Sequence, residues 1–285
     1  MDAIRGMNEH SDQVMSELAC FEGAACRLFA ASLRYPDQER IEALVEAAGD
    51  LLQEAESLAA FAFYPAWNQA LQALQSLAGA GHEIAAKEYV NLFLVPGSSL
   101  CPPYASHYLD YSGPGGGLIS AMIERVYVVS GLVLSPTLGD LPDHVSVELE
   151  FVSHLCRREV EAWQRDDSPE AALAFLEQRF QFLDRHMNLW LPRFARAVLA
   201  AAMPGTKLRE SNPVVHPEHV RMPELGTDLR LLQGTGTDGF YAVLAESAAT
   251  FLHHERDLLK LRLKLFKAHV SSRGDIRRWG KSRAD

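Results

Sequence analysis

Apolar side chains recur at helical spacing along most of this chain, in stretches separated by segments rich in proline and glycine. After Ser11, a possible helix cap, apolar or small residues recur every three or four positions as far as Ser32. No window alternates apolar and polar residues between turn signals, as a strand would. The pattern therefore predicts an all-α fold, a bundle of about 9–11 helices.

Capping residues and prolines predict where several helices begin. Asp37 follows Pro36 and can cap a second helix, and Ser168 followed by Pro169 favours another helix start. Asp140 can cap a long helix that has Pro142 in its first turn and Asp143 near its positive end.

Later in the chain, Pro192 follows Trp190 and predicts a bend between two helices. Rows of apolar residues then predict a long final helix. These rows are Leu244, Phe251, Leu258 and Leu265, and Leu252, Leu259 and Phe266.

Two segments interrupt the helical pattern. Residues 96–117 hold four prolines and five glycines, and residues 204–239 are rich in glycine, proline and polar groups, which predicts a partly disordered insertion. We therefore expect two helical halves joined by a connector, with a flexible basic tail. The expected boundaries are 1–132 for the N-terminal half, 133–142 for the connector, 143–269 for the C-terminal half including the insertion, and 270–285 for the tail.

The net charge of −10 is unevenly distributed. Residues 260–285 contain nine Lys/Arg and two Asp, a local charge of +7, which leaves −17 for the rest of the chain. An acidic body disfavours nucleic acid and anionic lipid and favours a basic peptide or protein as partner. With no apolar run of roughly 18 residues and no export signal after Arg5, we expect a cytoplasmic protein without stable membrane insertion.

The four cysteines form no CxxC pair, and Cys20, Cys26 and Cys156 fall in helical apolar patterns. We expect buried free thiols, including Cys101.

Catalytic and cofactor motifs are weak or missing. The glycines at 113–117 precede a helix but no GK[ST] follows, and no GxSxG occurs. Two pairs have residue types and a spacing that could bind a metal: His144 with Glu148, an i, i+4 pair, and His216 with His219. We expect no catalytic residues, no metal and no cofactor, with a metal- or nucleotide-dependent helical enzyme as the alternative.

Three blocks of residues resemble one family. The first runs from Glu88-Tyr89 through Leu92-Phe93 and Pro96-Gly97 to Pro102-Pro103-Tyr104-Ala105-Ser106-His107-Tyr108. The second is Leu141-Pro142-Asp143-His144 followed by Glu148-Leu149-Glu150-Phe151. The third combines His186, Trp190, Pro192 and Phe194 with Phe240-Tyr241. Together and in this order they resemble the TorD/DmsD/NarJ family of cytoplasmic molybdoenzyme chaperones.

The resemblance implies a TorD-like helical bundle and a chaperone rather than an enzyme. It implies as partners the apo catalytic subunit of a molybdoenzyme, through its N-terminal leader (a twin-arginine signal or its vestige), and molybdenum-cofactor biosynthesis proteins. It also implies either a monomer or a swapped dimer. A stable accessory subunit of the redox complex is the remaining alternative.

The resemblance, with the aromatic and acidic character of the first two blocks, predicts a peptide site that has an apolar part and a polar part. The predicted apolar part comprises Tyr89, Leu92, Phe93, Pro103, Tyr104 and Tyr108, and Pro96 and Ser106 are predicted to bind the peptide beside them. The predicted polar part comprises Asp143, His144 and Glu148. Leu141 stands where the family commonly has Glu, which weakens an acidic role there.

Overall fold

A computed structural model gives the fold. It describes residues 2–79, 81–94, 101–109, 117–135, 139–164, 169–202 and 239–281. Within these ranges the chain is helical and forms no strand, which confirms the all-α prediction. The α-helices are α1 (Asp2–Ser32), α2 (Gln38–Glu54), α3 (Tyr64–Gln75), α4 (Gly81–Tyr89), α5 (Ala105–Tyr108), α6 (Gly117–Val129), α7 (Val145–Gln164), α8 (Pro169–Phe182), α9 (Asn188–Ala202) and α10 (Phe240–Lys281).

Three short segments have other helical geometries. Residues Ala55–Leu58 form a 3₁₀ turn after α2, Val90–Leu94 form a π-helical turn after α4, and Leu183–Met187 form a second π-helical turn between α8 and α9. Among the described helices none is long and apolar enough to cross a membrane.

Several helix boundaries follow the local sequence. The backbone N–H of Arg40 donates to Asp37 Oδ1 at 2.9 Å, which confirms the predicted cap. Helix α8 begins at Pro169 as predicted, whereas α1 begins before Ser11. Helix α9 continues through Pro192, so the predicted bend there is wrong, and the irregular backbone lies one turn earlier at Leu183–Met187.

Helices α1 and α7 lie side by side in the middle of the molecule. Ser153 on α7 donates from Oγ to the carbonyl of Gly23 on α1 at 2.8 Å. A side chain at Gly23 would place its Cβ 2.9 Å from Cys156 Cβ. The absence of a side chain at Gly23 is therefore what allows the two helices to pack this closely.

Helix α10 closes the core on the other side, against α3, α8 and α9. Phe251 of α10 packs on Phe29 of α1 and on Phe63 and Trp67 at α3, with ring centroids 5.1–6.1 Å apart. Helices that precede and follow the predicted connector 133–142 therefore share one hydrophobic core. The two-part division remains a prediction.

Some residues lie elsewhere than the sequence predicts. Cys20 is exposed, whereas Cys26, Cys101 and Cys156 are buried, and all four are free thiols. Leu265 is 59% exposed, so the predicted row Leu244, Phe251, Leu258 and Leu265 leaves the core before its last residue. The backbone remains helical to Lys281, well into the predicted tail. Most of the insertion 204–239 lies outside the described residues.

Candidate functional site

The first two blocks of the sequence meet in space through a short backbone pairing. The N–H of Ala105 donates to the carbonyl of Asp143 at 2.9 Å, and the N–H of Val145 donates to the carbonyl of Pro103 at 2.8 Å. These two bonds form an isolated antiparallel bridge between Tyr104 and His144. Residues 101–109, which the glycine- and proline-rich composition predicted as part of a loop, are thereby fixed on the start of α7.

Asp143 is completely buried beneath this bridge. Its Oδ2 accepts a hydrogen bond from the N–H of Ser106 at 3.0 Å, which satisfies a free donor at the start of α5. Its Oδ1 has no hydrogen-bond partner among the described residues. One oxygen of this carboxylate therefore positions the loop, and the other keeps its acceptor capacity.

His144 caps α7 with its side chain. The N–H of Ser146 donates to His144 Nδ1 at 3.2 Å, and Ser146 Oγ lies 2.6 Å from the same atom. A nitrogen that accepts from a backbone N–H carries no proton, so the ring proton is on Nε2. Burial lowers the pKa of His144 to about 4, so the imidazole is neutral at neutral pH. The sequence predicted Asp140 as this cap, and the bridge at residues 143–145 gives that position to His144 instead.

Glu148 lies one turn further along α7 and is also buried. Its Oε1 accepts from His186 Nε2 at 2.6 Å and its Oε2 accepts from Trp190 Nε1 at 3.0 Å. Burial raises the pKa of Glu148, and the bonds from His186 and Trp190 oppose this rise. Both carboxylate oxygens are used inside the protein, so we assign Glu148 to the framework behind the site.

The predicted residues of α4 and its π-helical turn lie in the core. Tyr89 packs edge-on against Phe93 at 4.8 Å and against Tyr241 of α10 at 5.5 Å, while Phe93 also contacts Phe194 of α9. Leu92 is buried beside them. These side chains support residues 101–109 from the core and connect the first block of residues to the third.

Three of the other residues predicted in the first block, Tyr104, Ser106 and Tyr108, lie nearer the surface. Tyr104 and Ser106 are half-buried, Pro103 is buried, and Pro96 lies outside the described residues. The half-buried ring of Tyr108 stacks on Trp190 at 5.9 Å, and its carbonyl accepts from Arg193 Nη1 at 2.7 Å. The ring of Tyr104 stands edge-on to His144 at 5.1 Å.

The site also contains residues that were not predicted from the sequence to belong to it. Tyr127 of α6 donates from Oη to the carbonyl of Pro142 at 2.9 Å and fixes the approach to α7. Leu141, next to it, is 55% exposed. His186 and Trp190 were part of the third block, and their i, i+4 spacing was a usable signal that both face one partner.

Nothing in the described geometry gathers His144 and Glu148 as metal ligands, because each uses its side chain in separate hydrogen bonds. His216 and His219 lie outside the described residues. Within the part of the chain that is described, the one group with metal-ligand spacing is Glu22 of α1, Cys156 of α7 and Glu255 of α10.

Comparison with known proteins gives the chain its relatives. The family model for the nitrate reductase delta subunit matches residues 60–196, a range that contains the bridge, α7 and Trp190. The chaperone protein TorD of Vibrio cholerae serotype O1 is 32% identical over 127 residues, which is 45% of this chain and 55% of the relative. The selenate reductase assembly chaperone protein of Thauera selenatis is 33% identical over 123 residues, 42% of this chain and 60% of the relative.

A solved redox enzyme maturation protein from Archaeoglobus fulgidus is 25% identical to this chain. The match covers 56% of this chain and 91% of the solved chain, with a TM-score of 0.32. The chain spans about half the length of the curated relatives it matches. These relatives are named as chaperones and not as enzymes, which agrees with the lack of a catalytic motif in the sequence. The part of the chain that these comparisons match is therefore similar to assembly chaperones of the TorD/NarJ type.

Proposed function

We propose that this protein is a cytoplasmic assembly chaperone for a molybdoenzyme. It would bind the apo catalytic subunit at its N-terminal leader, a twin-arginine signal or its vestige, and hold it for cofactor insertion. Molybdenum-cofactor biosynthesis proteins would be further partners. The names of relatives that assemble selenate and chlorate reductases support the class of client.

The bridge between Tyr104 and His144 is the observation that carries the proposal. It fixes an otherwise irregular segment so that Tyr104, Ser106 and Tyr108 are partly accessible, and Leu141, three residues before His144, is exposed. A rigid surface with aromatic rings, a hydroxyl and an aliphatic side chain suits an apolar peptide with a few polar groups.

Acidic groups lie close to this surface. Burial raises the pKa of Tyr104, and the negative charges of Asp140 and Asp143 raise it further. A negative potential beside a half-buried aromatic ring favours a guanidinium, through charge and through stacking on the ring face. This local acidity supports a ligand that carries arginine.

The buried residues of the predicted set then have a supporting role. Asp143 and His144 hold the 103–106 segment in place, and Tyr89, Leu92, Phe93 and Glu148 support it from the core. In this proposal the direct contacts to the peptide come from Tyr104, Ser106, Tyr108 and Leu141.

The test is titration calorimetry with a synthetic peptide that carries two adjacent arginines followed by an apolar stretch. We expect Tyr104→Ala to weaken binding at least about tenfold, or roughly 1.4 kcal/mol. Tyr104→Phe keeps the ring and is the matched control, with most of the affinity retained. An unchanged affinity in Tyr104→Ala, with the fold intact by circular dichroism, would refute the site.

The charge contribution is tested separately with Asp143→Asn. The amide oxygen can still accept from the N–H of Ser106, so the loop stays in place while the negative charge is lost. We expect weaker binding of the diarginine peptide and little change for a peptide in which both arginines are replaced by glutamine. Equal losses for both peptides would show that Asp143 acts only through the loop.

Co-purification separates the proposed chaperone from a stable accessory subunit. A chaperone should be recovered with the apo catalytic subunit and be released from the cofactor-loaded enzyme. Recovery in equal amounts with the loaded enzyme would identify a subunit instead.

A further inference from the structure

A second polar cluster is buried at the junction of α1, α7, α8 and α10, away from the Tyr104–His144 bridge. It contains Glu22, Glu159, Arg179, Glu255 and Arg262, and none of these side chains is more than 3% exposed. Buried charges in this number are stable only when they compensate each other.

Four of the five residues form a closed, neutral set. Arg179 Nη2 lies 2.7 Å from Glu22 Oε2 and 3.0 Å from Glu159 Oε2. Arg262 Nη1 lies 2.8 Å from Glu22 Oε2, and its Nη2 lies 2.6 Å from Glu159 Oε1. Each carboxylate therefore binds both guanidinium groups, and two negative charges balance two positive ones.

Glu255 is the odd member. Its Oε1 is 3.6 Å from Arg179 Nε, which is longer than a hydrogen bond, and neither of its oxygens has a hydrogen-bond partner in the described part of the chain. If Glu255 were ionised, the cluster would carry an uncompensated negative charge with no access to water.

A metal ion is a poor counter-charge here. Ligand atoms of Glu22, Cys156 and Glu255 lie within 4.8 Å of one another, a spacing that a metal could use. However, the guanidinium of Arg179 already donates to Cys156 Sγ and pairs with Glu22. A cation would have to displace Arg179, whereas a proton on Glu255 needs no rearrangement.

We propose that Glu255 carries a proton in the folded protein, and that loss of this proton at alkaline pH loosens the junction of α10 with α1. The groups that face Glu255 are Glu22 and Cys26 on α1, Cys156 and Glu159 on α7, Arg179 on α8 and Arg262 on α10. Ionised Glu255 would repel Glu22 first, so α1 and α10 are the helices expected to separate.

Electrostatics agree with the geometry. Burial first, and then the negative charges of Glu22 and Glu159, raise the pKa of Glu255 from 4.5 to about 8, although Arg179 and Arg262 oppose the rise. The unfolded chain loses this proton near the lower value and the folded protein near the higher one. Between these two pKa values the folded state holds one more proton than the unfolded chain, so stability falls as pH rises. Above the pKa of the folded state the loss is complete.

The decisive variant is Glu255→Gln, which keeps the size of the side chain and cannot ionise. We compare urea unfolding of the wild type and the variant from about pH 5.5 to pH 7.5. The ratio of their unfolding constants should change about tenfold per pH unit, with the wild type losing stability faster. Parallel curves would overturn the proposal.

Infrared spectroscopy in D₂O gives a readout that does not depend on the variant being stable. The wild type at neutral pH should show the band of a protonated carboxyl group, and Glu255→Gln should lack it. Glu22→Gln leaves two carboxylates for two guanidiniums, so Glu255 should ionise and the band should disappear there as well. No such band in the wild type, or a stoichiometric metal ion in the purified protein, would refute the protonated state.

Hydrogen exchange locates the loosening. At about pH 9, above the pKa, amides in the middle of α1 and α10 should exchange faster in the wild type than in Glu255→Gln at the same pH. Equal protection of these helices in both proteins would show that the proton does not control the junction.

Discussion

The indole Nε1 of Trp190 donates a hydrogen bond to Glu148 Oε2 at 3.0 Å, in the core of the protein behind the Tyr104–His144 bridge. His186, one turn before Trp190, binds the other oxygen of the same carboxylate. A single buried carboxylate thus joins α7 to the end of the second π-helical turn and to α9. Tyr108 stacks on the ring of the same indole, so the bond between Trp190 and Glu148 also supports the proposed peptide surface.

We predict that Glu148→Ala destabilises the protein strongly. Trp190 is completely buried, so its N–H would lose its acceptor and gain no water, at a cost of about 1–3 kcal/mol in the free energy of unfolding, to which the new cavity adds. Urea unfolding measures this. The control is Glu150→Ala, which removes a partly exposed ion pair with Arg34 and should cost less than about 1 kcal/mol. Similar losses in both variants would contradict the assigned role.

The helices could be predicted from sequence because apolar periodicity and capping residues act locally. Asp37 and Pro169 mark helix starts in the sequence and in the structure. The helical course through Pro192 could not be predicted, because the irregular backbone is displaced to Leu183–Met187, where no proline or glycine marks it.

The candidate site was only partly predictable, for a physical reason. The contact of Asp143 and His144 with a peptide stays a prediction, but their burial was not predicted, because it comes from a backbone bridge between residues some 40 positions apart. Pairing over that distance leaves no local periodic signal. Charges in the core are hidden in the same way. Glu255 and Arg262 are seven positions apart, on the core-facing side of α10.

The contact of α1 with α7 gives a prediction at Gly23. In Gly23→Ala the new Cβ would lie 2.9 Å from Cys156 Cβ, so the helices must separate, and we expect a loss of about 1–3 kcal/mol despite the better helix propensity of alanine. Thermal unfolding followed by circular dichroism measures the change.

Gly49→Ala is the matched control on α2. There the new Cβ meets only the end of the Gln75 side chain, at 3.1 Å from Nε2, and a shift of a few tenths of an ångström relieves the contact while Nε2 keeps its bond to the carbonyl of Val45. Helix propensity then favours alanine by up to about 1 kcal/mol, and we expect a neutral or stabilising effect. If both glycine variants changed stability in the same direction, close packing at Gly23 would not be the cause.

His144 predicts how the protein responds to acid. Burial lowers its pKa from 6.5 to about 4, so between these values the unfolded chain binds a proton that the folded protein does not. His144 therefore makes its full contribution to stability above the pKa of the unfolded chain. This contribution is lost as pH falls towards the pKa of the folded state, at about 1.4 kcal/mol per pH unit. Protonated Nδ1 could no longer accept from the N–H of Ser146, so the cap of α7 and the bridge to Tyr104 would open together.

In His144→Asn the side-chain oxygen can cap the helix without titrating. Urea unfolding between about pH 4.5 and pH 7 should show a steeper acid loss in the wild type than in this variant. Equal slopes would mean that other groups cause the acid sensitivity and that His144 takes up its proton without opening the cap.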